Sequence, residues 1–468
     1  MTRTEHTAAG CAAALAAAEM STAELAQRYQ DRIGLLNPRL NAVIAIAPDV
    51  MAQAEASDVR RANGQLLSPL DGVPVLIKDN IEAVGLPATA GSRALLGSPP
   101  AADAPLVRRL REAGLVVLGA ANLSEWANFR STASTSGWSA VGGQTRNPHD
   151  PNRNPSGSSS GSAAAIAAGL IPLAVGTETD GSIVSPAGVC GVVGFKPSLG
   201  TVPGAGIVPI SSRQDTAGPM ARTVADAAAL FAVLACLPYQ PLAELSLRDL
   251  PVSVWRPDAL PAEVAAVLDS VERLLVEAGA RTSSATAPRS GPFDDAEFEA
   301  LLAEFAEQLP GYLAARPGKH PRDWAGLLDF NRADDVELAY FSDEIFQRCA
   351  GVLADGGTGS AAYQQARADC DAGAAAGLAA LLDDAEFAVA PTNAPAWPIE
   401  YGVEDDYGVL TSSLCAVTGS PSISLPAGQI GGMPVGVSVL GRRGQDAELL
   451  AFAAALERLL PEPAYPLD

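Results

Sequence analysis

The apolar positions of this chain fall into short runs that polar and glycine-rich turns separate. Three of these runs, VPVLI, LVVLGA and LIPLAVG, have the length of buried strands. Helices are predicted up to about residue 62, with a capping box between Ser21 and Glu24, and another near PLVRRLREAG, between the first two strands. This alternation predicts an α/β fold with a large mixed, mostly parallel sheet, covered by helices on both faces.

The distribution of these blocks predicts one large domain. A chain of 468 residues is long enough for two or three average domains, but its core blocks extend from residue 71 to residue 440. We therefore expect a single domain 1–468 with four parts. They are N-terminal helices (1–62), a core (63–235), an acidic helical region (290–385), and closing strands with a helix (386–468).

Two segments are candidate walls of a substrate cleft. The loop from Gly204 to Gln214 begins with two glycines and is expected to be a mobile edge. The helical region contributes aromatic side chains, most of which we expect to pack between helices while some line the cleft. These are Phe298, Phe305, Tyr312, Trp324, Phe330, Tyr340 and Phe341.

The candidate nucleophile lies in the turn GTETDGS, at the end of the third apolar run. Ser182 follows Gly181 there, so its hydroxyl can be exposed, while the N–H groups of Thr179, Asp180, Gly181 and Ser182 line a concave turn. Such a turn can hold a developing oxyanion. The Asp180 carboxylate is a possible catalytic acid, but we expect it to shape the turn by accepting N–H bonds.

The candidate base is a lysine. Lys78 follows VPVLI and is the only cation with a buried-looking strand context; desolvation would lower its pKa and free a lone pair. Residues 157–161 also match the nucleophile elbow G-x-S-x-G, which requires a later acid and histidine. Only His320 follows, in a segment predicted to be helix-like, and His6 and His149 are expected at the surface or in loops. The residues therefore favour a serine hydrolase without histidine.

The blocks GVPVLIKDN, PSGSSSGSAAAIAAG, GTETDGS and TGSPSISLPAGQIGGMPVGVSVLG, in this order, resemble the amidase signature family over nearly the whole chain. The resemblance implies the amidase-signature fold and a Ser-Ser-Lys triad, with Ser182 as nucleophile, Ser158 as bridging residue on a cis peptide, and Lys78 as ultimate base. Ser159 stays open as the bridging residue, because two glycines of the family pattern GGSSGG are serines here. Val184 follows Ile183 where many members have an arginine, which resembles the peptide-amidase-like branch.

The resemblance implies hydrolysis of a linear carboxamide, a C–N bond other than a peptide bond, through an acyl-enzyme. A carbamate (urethane) or ester hydrolase of the same family is the alternative, because the same triad can attack any similar carbonyl. A tRNA amidotransferase component is disfavoured by Val184 and by the acidic charge. A non-catalytic scaffold is disfavoured because all three triad residues are present.

Composition limits the partners and the compartment. The net charge of −22 disfavours nucleic acid. Six cysteines without CxxC spacing or nearby histidines predict reduced thiols and argue against a zinc site or disulfides. The alanine-rich start is interrupted by Glu19, and no apolar run reaches about 18 residues. We expect a cytoplasmic monomer or homodimer that acts on a small amide or carbamate, with no membrane partner, metal or cofactor.

Overall fold

The computed structural model describes residues 6–287 and 293–467, apart from the side chain of Asp294. The predicted boundaries at residues 1, 290 and 468 lie outside these ranges. Within them, fourteen α-helices form: α1 (Ala8–Ala16), α2 (Thr22–Leu40), α3 (Val50–Ala62), α4 (Pro105–Glu112), α5 (Ser160–Ala167), α6 (Val184–Cys190), α7 (Val224–Ala235), α8 (Ala262–Glu277), α9 (Phe293–Ala315), α10 (Trp324–Ala333), α11 (Glu344–Ala354), α12 (Ala361–Leu382), α13 (Ser413–Thr418) and α14 (Asp446–Glu457).

The same ranges contain thirteen strands: β1 (Val43–Ile46), β2 (Pro74–Lys78), β3 (Val116–Ala121), β4 (Trp138–Ser139), β5 (Gly143–Gln144), β6 (Leu173–Glu178), β7 (Val193–Lys196), β8 (Thr216–Ala221), β9 (Pro251–Trp255), β10 (Arg281–Ala285), β11 (Phe387–Pro391), β12 (Ser422–Ile430) and β13 (Met433–Leu440). Eleven of them form one sheet in the order β1-β3-β2-β6-β8-β7-β12-β13-β11-β9-β10. The strands β4 and β5 pair separately.

The predicted α/β fold with a large mixed sheet is confirmed. Parallel pairs form two blocks, β3-β2-β6 and β11-β9-β10, and the other neighbours pair antiparallel. The hairpin between β12 and β13 turns at Gly431 and Gly432, both with positive φ. A two-residue turn of this kind requires that conformation at both positions, which glycine adopts without strain.

The N-terminal region agrees with the prediction in one respect and differs in another. The capping box is confirmed, because the Ser21 hydroxyl accepts the N–H of Glu24 and the Glu24 carboxylate accepts the N–H of Ser21. The prediction of helices alone missed β1, which pairs antiparallel with β3. This strand has only four residues and lies between two helices, so its apolar pattern is too short to be recognised.

The region predicted to be helical contains α9 to α12 within its described part. Some of its aromatic rings pack against each other, as in Phe305 and Trp324, whose centroids are 5.2 Å apart. Phe341 is buried and packs against Trp138, outside the region, with a centroid distance of 5.1 Å. Tyr340 differs, because it is 46% exposed. The segment around His320 is a loop and not a helix, since α10 begins only at Trp324; the His320 ring bonds to the carbonyl of Leu313.

The topology brings the two candidate motifs together. The strands β2 and β6 are parallel neighbours, with Ile77 opposite Val175. Their carboxyl ends therefore lie at the same edge of the sheet, where open α/β sheets carry their ligands. Lys78 ends β2, and the turn that holds Ser182 directly follows β6.

Two further predictions concern cysteines and the membrane. None of the six cysteines forms a disulfide in the described ranges, and only Cys236 among them is exposed. No helix in the described part of the chain is both long enough and apolar enough to cross a bilayer.

Candidate active site

The Lys78 side chain is buried and reaches the turn that contains Ser158 and Ser159, here called the first serine turn. Its Nζ lies 2.7 Å from the Oγ of Ser158, 2.9 Å from the Oγ1 of Thr177 and 3.2 Å from the Thr177 carbonyl oxygen. A neutral amine has two N–H groups and one lone pair. The two N–H groups can therefore bind Thr177 while the lone pair accepts the hydroxyl proton of Ser158.

The structure distinguishes the two candidate bridging serines. The peptide bond between Gly157 and Ser158 is cis, and Ser158 faces Lys78. The neighbouring Ser159 points to the strand: its Oγ donates to the Thr177 carbonyl at 3.0 Å and accepts the Thr177 N–H at 3.1 Å. The lysine therefore contacts Ser158 and not Ser159.

The turn with Ser182 is tied to the first serine turn. The N–H of Ser159 donates to the carbonyl of Ser182 at 3.1 Å, which brings the two serine segments side by side. Ser182 itself is partly exposed. Gly181 has a φ of +72°, and a Cβ there would lie 3.0 Å from the Oγ of Ser412, so glycine meets both a conformational and a steric demand.

A buried glutamate holds the end of this turn. One carboxylate oxygen of Glu178 accepts the N–H groups of Ile183 (2.8 Å) and Val184 (3.1 Å). Glu178 is thus a carboxylate that shapes the end of the turn through N–H bonds. The Asp180 carboxylate, which we expected to act in the same way, accepts the hydroxyl of Ser413 at 2.6 Å.

Electrostatics favour a base at Lys78. Burial lowers its pKa to about 7, while the charges of Asp215 and Glu178 act in the opposite direction. Burial raises the pKa of Glu178, and the nearby Lys196 ammonium opposes this rise. A lysine that titrates near neutrality can exchange a proton with a serine hydroxyl at physiological pH.

Two expectations about charged residues are corrected. Lys78 is not the only buried lysine on a strand, because Lys196 ends β7 and is 1% exposed. Since Pro197 follows it, the sequence around Lys196 resembles an ordinary strand end. His6 is buried and not at the surface; His149 is partly buried, with its ring against the carbonyl of Cys190.

Sequence reasoning missed several residues around the two serines. Asn80 donates to the Thr177 hydroxyl at 3.0 Å, next to the contact with Lys78. The Thr179 hydroxyl donates to Asp215 at 2.6 Å, and the side chain of Gln214 reaches the Thr179 carbonyl at 3.4 Å. A signal existed for Thr177, a polar residue inside a buried strand. Asp215 is distant in sequence and carries none, whereas Gln214 was predicted only as the end of a candidate cleft wall.

The two segments predicted as cleft walls, the loop from Gly204 to Gln214 and the aromatic residues of the helical region, differ in where their side chains lie. Gln214 ends the loop that begins at Gly204 and reaches the turn of residues 179–182, here called the nucleophile turn. This contact is the one expected of a residue in a cleft wall. Phe305 and Trp324 instead belong to a buried cluster between the helices. Phe298 is partly buried and contacts Phe129 with a centroid distance of 5.7 Å.

Comparisons with known proteins agree with this architecture. The Amidase family model matches residues 24–450. A probable amidase of Arabidopsis thaliana is 37% identical over 94% of this chain and 87% of its own length. One component of the glutamyl-tRNA(Gln) amidotransferase of Symbiobacterium thermophilum is 33% identical, with coverage of 95% and 94%. The crystal structure of a peptide amidase from Stenotrophomonas maltophilia superposes with a TM-score of 0.88 at 41% identity, covering 98% of each chain.

The chain therefore belongs to the amidase family, the amidase-signature family that its sequence resembles. It is a hydrolase that acts on carbon–nitrogen bonds.

Proposed function

We propose that this protein hydrolyses the C–N bond of a linear carboxamide through Ser182, Ser158 and Lys78. The observation that carries the proposal is the 2.7 Å contact between the Nζ of Lys78 and the Oγ of Ser158. A buried amine whose pKa is about 7 can accept a hydroxyl proton at that distance.

In the proposed reaction, the Oγ of Ser182 attacks the substrate carbonyl carbon as its proton passes through Ser158 to the neutral amine of Lys78. The carbonyl oxygen becomes an oxyanion, which the N–H groups of residues 179–182 stabilise. When the C–N bond breaks, Lys78 returns the proton through Ser158 to the departing amine. Water then attacks the acyl-enzyme by the same route, which releases the carboxylic acid and restores Ser182.

The related proteins suggest a substrate class. A peptide amidase shares 41% of its residues with this chain over nearly the full length of both, so the C-terminal amide of a peptide is the first substrate to test. The relatives also include a glutamyl-tRNA(Gln) amidotransferase component. For that activity, Val184 remains the unfavourable feature, because a valine cannot supply the bidentate hydrogen bonds of an arginine.

The test is a panel of peptide amides, aryl amides, glutamine, aryl carbamates and aryl esters, incubated with the purified protein. Ser182→Ala and Lys78→Ala are measured beside the wild type. Ser162→Ala is the matched control, since Ser162 is also a buried serine, but its hydroxyl lies 3.3 Å from the carbonyl of Val175 on β6. The control is expected to retain activity, whereas the other two variants are expected to lose it.

The panel separates the candidate functions. Turnover of amides that depends on Ser182 and Lys78 supports the proposal, and a marked preference for carbamates or esters replaces it with the alternative hydrolase. Glutamine hydrolysis as the main activity indicates an amidotransferase component. Amide turnover that survives Ser182→Ala overturns the mechanism. A wild type that neither turns over any substrate nor reacts with a serine-directed fluorophosphonate indicates a scaffold.

A further inference from the structure

Asp215 links the nucleophile turn to the loop before β8. One of its carboxylate oxygens accepts the Thr179 hydroxyl at 2.6 Å. The other accepts the N–H groups of Ile210 at 2.8 Å and Ser211 at 3.0 Å. Thr179 is the first residue of the turn that ends at Ser182, so this carboxylate connects that turn to residues 210 and 211.

The loop is in turn bound to the helices that pack over this edge. The Ser211 hydroxyl donates to Glu304 on α9. The guanidinium of Arg367, on α12, donates to the Gln214 side chain at 2.9 Å. Asp215 therefore lies between the helical region and the nucleophile turn. A change in its side chain would alter the hydrogen bond that holds Thr179.

The charge of Asp215 also acts on the candidate base. Lys78 on β2 binds Thr177, two residues before the threonine that Asp215 holds. Asp215 and Glu178 are the carboxylates that favour the charged form of Lys78. Poor solvation raises the pKa of Asp215 to about 6, and the neighbouring Glu304 carboxylate also favours its neutral form. Above that pH, the carboxylate presents a negative charge to the lysine.

We propose that Asp215 is a positioning residue for the hydrolysis, because its carboxylate holds the turn of residues 179–182 through Thr179 and its negative charge acts on the Lys78 amine. This inference rests on the proposed function of Lys78. The two roles act on different observables. The bond to Thr179 affects the rate at every pH, whereas the charge affects the pH at which Lys78 loses its proton.

The experiment compares Asp215→Asn with Asp226→Asn. Asparagine has the shape of aspartate and can still accept two backbone N–H bonds, but it carries no charge. Asp226 is the matched control: its carboxylate accepts the consecutive N–H groups of Ala8 and Ala9, and its own backbone N–H donates to the hydroxyl of Thr223, but it lies on α7. For each protein, kcat/KM for the best amide and the rate of Ser182 labelling by a fluorophosphonate are measured from pH 5 to pH 9.

In Asp215→Asn, the acidic limbs of the kcat/KM profile and of the labelling profile are expected to move to lower pH by about 0.5 to 1 unit. The reason is that the variant lacks the carboxylate charge that stabilises the protonated form of Lys78. The limb of Asp226→Asn is expected to coincide with that of the wild type. A uniform loss of rate in Asp215→Asn with an unmoved limb would overturn the electrostatic role and leave a purely structural one.

Thr179→Val tests the positioning role without removing the charge and is informative even if Asp215→Asn fails to fold. We expect kcat to fall about tenfold, the order of one lost hydrogen bond. The acidic limb is expected to move less than in Asp215→Asn, because the carboxylate is kept, although the loss of the Thr179 hydroxyl raises the pKa of Asp215. A wild-type kcat in this variant contradicts the positioning role. Labelling does not require amide turnover, so a protein that is labelled at Ser182 but cleaves no amide refutes the proposed substrate and still tests Asp215.

Discussion

Two buried lysines occupy comparable places in the sheet but differ in what surrounds their amines. Lys78 ends β2 and Lys196 ends β7, and burial lowers the pKa of both. The Nζ of Lys78 contacts two hydroxyl groups and a carbonyl. The Nζ of Lys196 contacts the carbonyl of Pro197 at 3.3 Å, and the negative charge of Glu178 favours its protonated form.

This difference separates burial from chemical competence. A desolvated amine is a potential base anywhere in a protein, but it acts as one only where a proton donor lies within hydrogen-bonding distance. In the proposed mechanism, Ser158 is that donor for Lys78. The charge of Lys196 instead acts on Glu178, the glutamate that holds the turn after Ser182, so we interpret Lys196 as a structural counter-charge.

The largest expected effect comes from replacing each lysine separately with methionine, which keeps most of the side-chain volume. Lys78→Met is expected to lower kcat/KM for the best amide by at least about 10³-fold, because the proton of the nucleophile then has no acceptor. Lys196→Met is expected to stay within about tenfold of the wild type, with a Tm that changes by a few degrees at most.

Steady-state kinetics and thermal unfolding of the two variants check this comparison. Circular dichroism confirms that both are folded before the rates are compared. Equal losses of kcat/KM in two folded variants would contradict the distinction between the lysines, because Lys196 would then contribute to the reaction as strongly as Lys78.

The next largest effect distinguishes Ser158 from Ser159. Ser158→Ala removes the hydroxyl that contacts Lys78, and we expect kcat to fall by about 10²- to 10⁴-fold, the range of general acid–base catalysis. Ser159→Ala removes only the bonds to the Thr177 backbone, so a smaller loss and a destabilisation of about 1 to 3 kcal/mol are expected. Single-turnover kinetics and denaturant unfolding measure the two effects; a greater loss of kcat in Ser159→Ala would reverse the assignment.

The sequence predicted the strands and the candidate chemistry because both depend on local patterns. The run VPVLI followed by Lys78 and the turn before Ser182 are recognisable as short motifs, and their parallel strands bring them to one edge. Register in the serine turn favoured Ser158 as the bridging residue but left Ser159 open. That choice depends on which hydroxyl faces Lys78, a property of the backbone in three dimensions.

The missed features depend on contacts between segments that are distant in the chain. Lys196 has the sequence context of a solvated strand end, and its burial arises because β7 lies between β8 and β12. Asp215 is 36 residues from its partner Thr179. No local pattern encodes either environment, because each is created by the packing of other strands and helices around the residue.

A smaller effect is expected at Thr177, whose hydroxyl and carbonyl bind the amine of Lys78. Thr177→Val keeps the shape of the side chain but removes the hydroxyl that binds Lys78 and Asn80. We expect kcat to fall about tenfold with little change in KM, and Thr177→Ser to recover most of the loss. Full activity of Thr177→Val would show that the carbonyl contact alone orients the amine.

The smallest effect concerns the pH profile and compares the lysines once more. Lys78 must be neutral to accept a proton, and its pKa is about 7, so kcat/KM is expected to fall about tenfold for each pH unit below that value. Lys196 acts on this limb only through Glu178: without the lysine charge, the Glu178 carboxylate is less readily ionised and supports the protonated form of Lys78 less strongly. Lys196→Met should therefore shift the limb to lower pH, and by less than about 0.5 unit.

The pH dependence of kcat/KM measures this shift. A shift larger than that of Asp215→Asn would mean that Lys196 is coupled to Lys78 more tightly than Asp215 is.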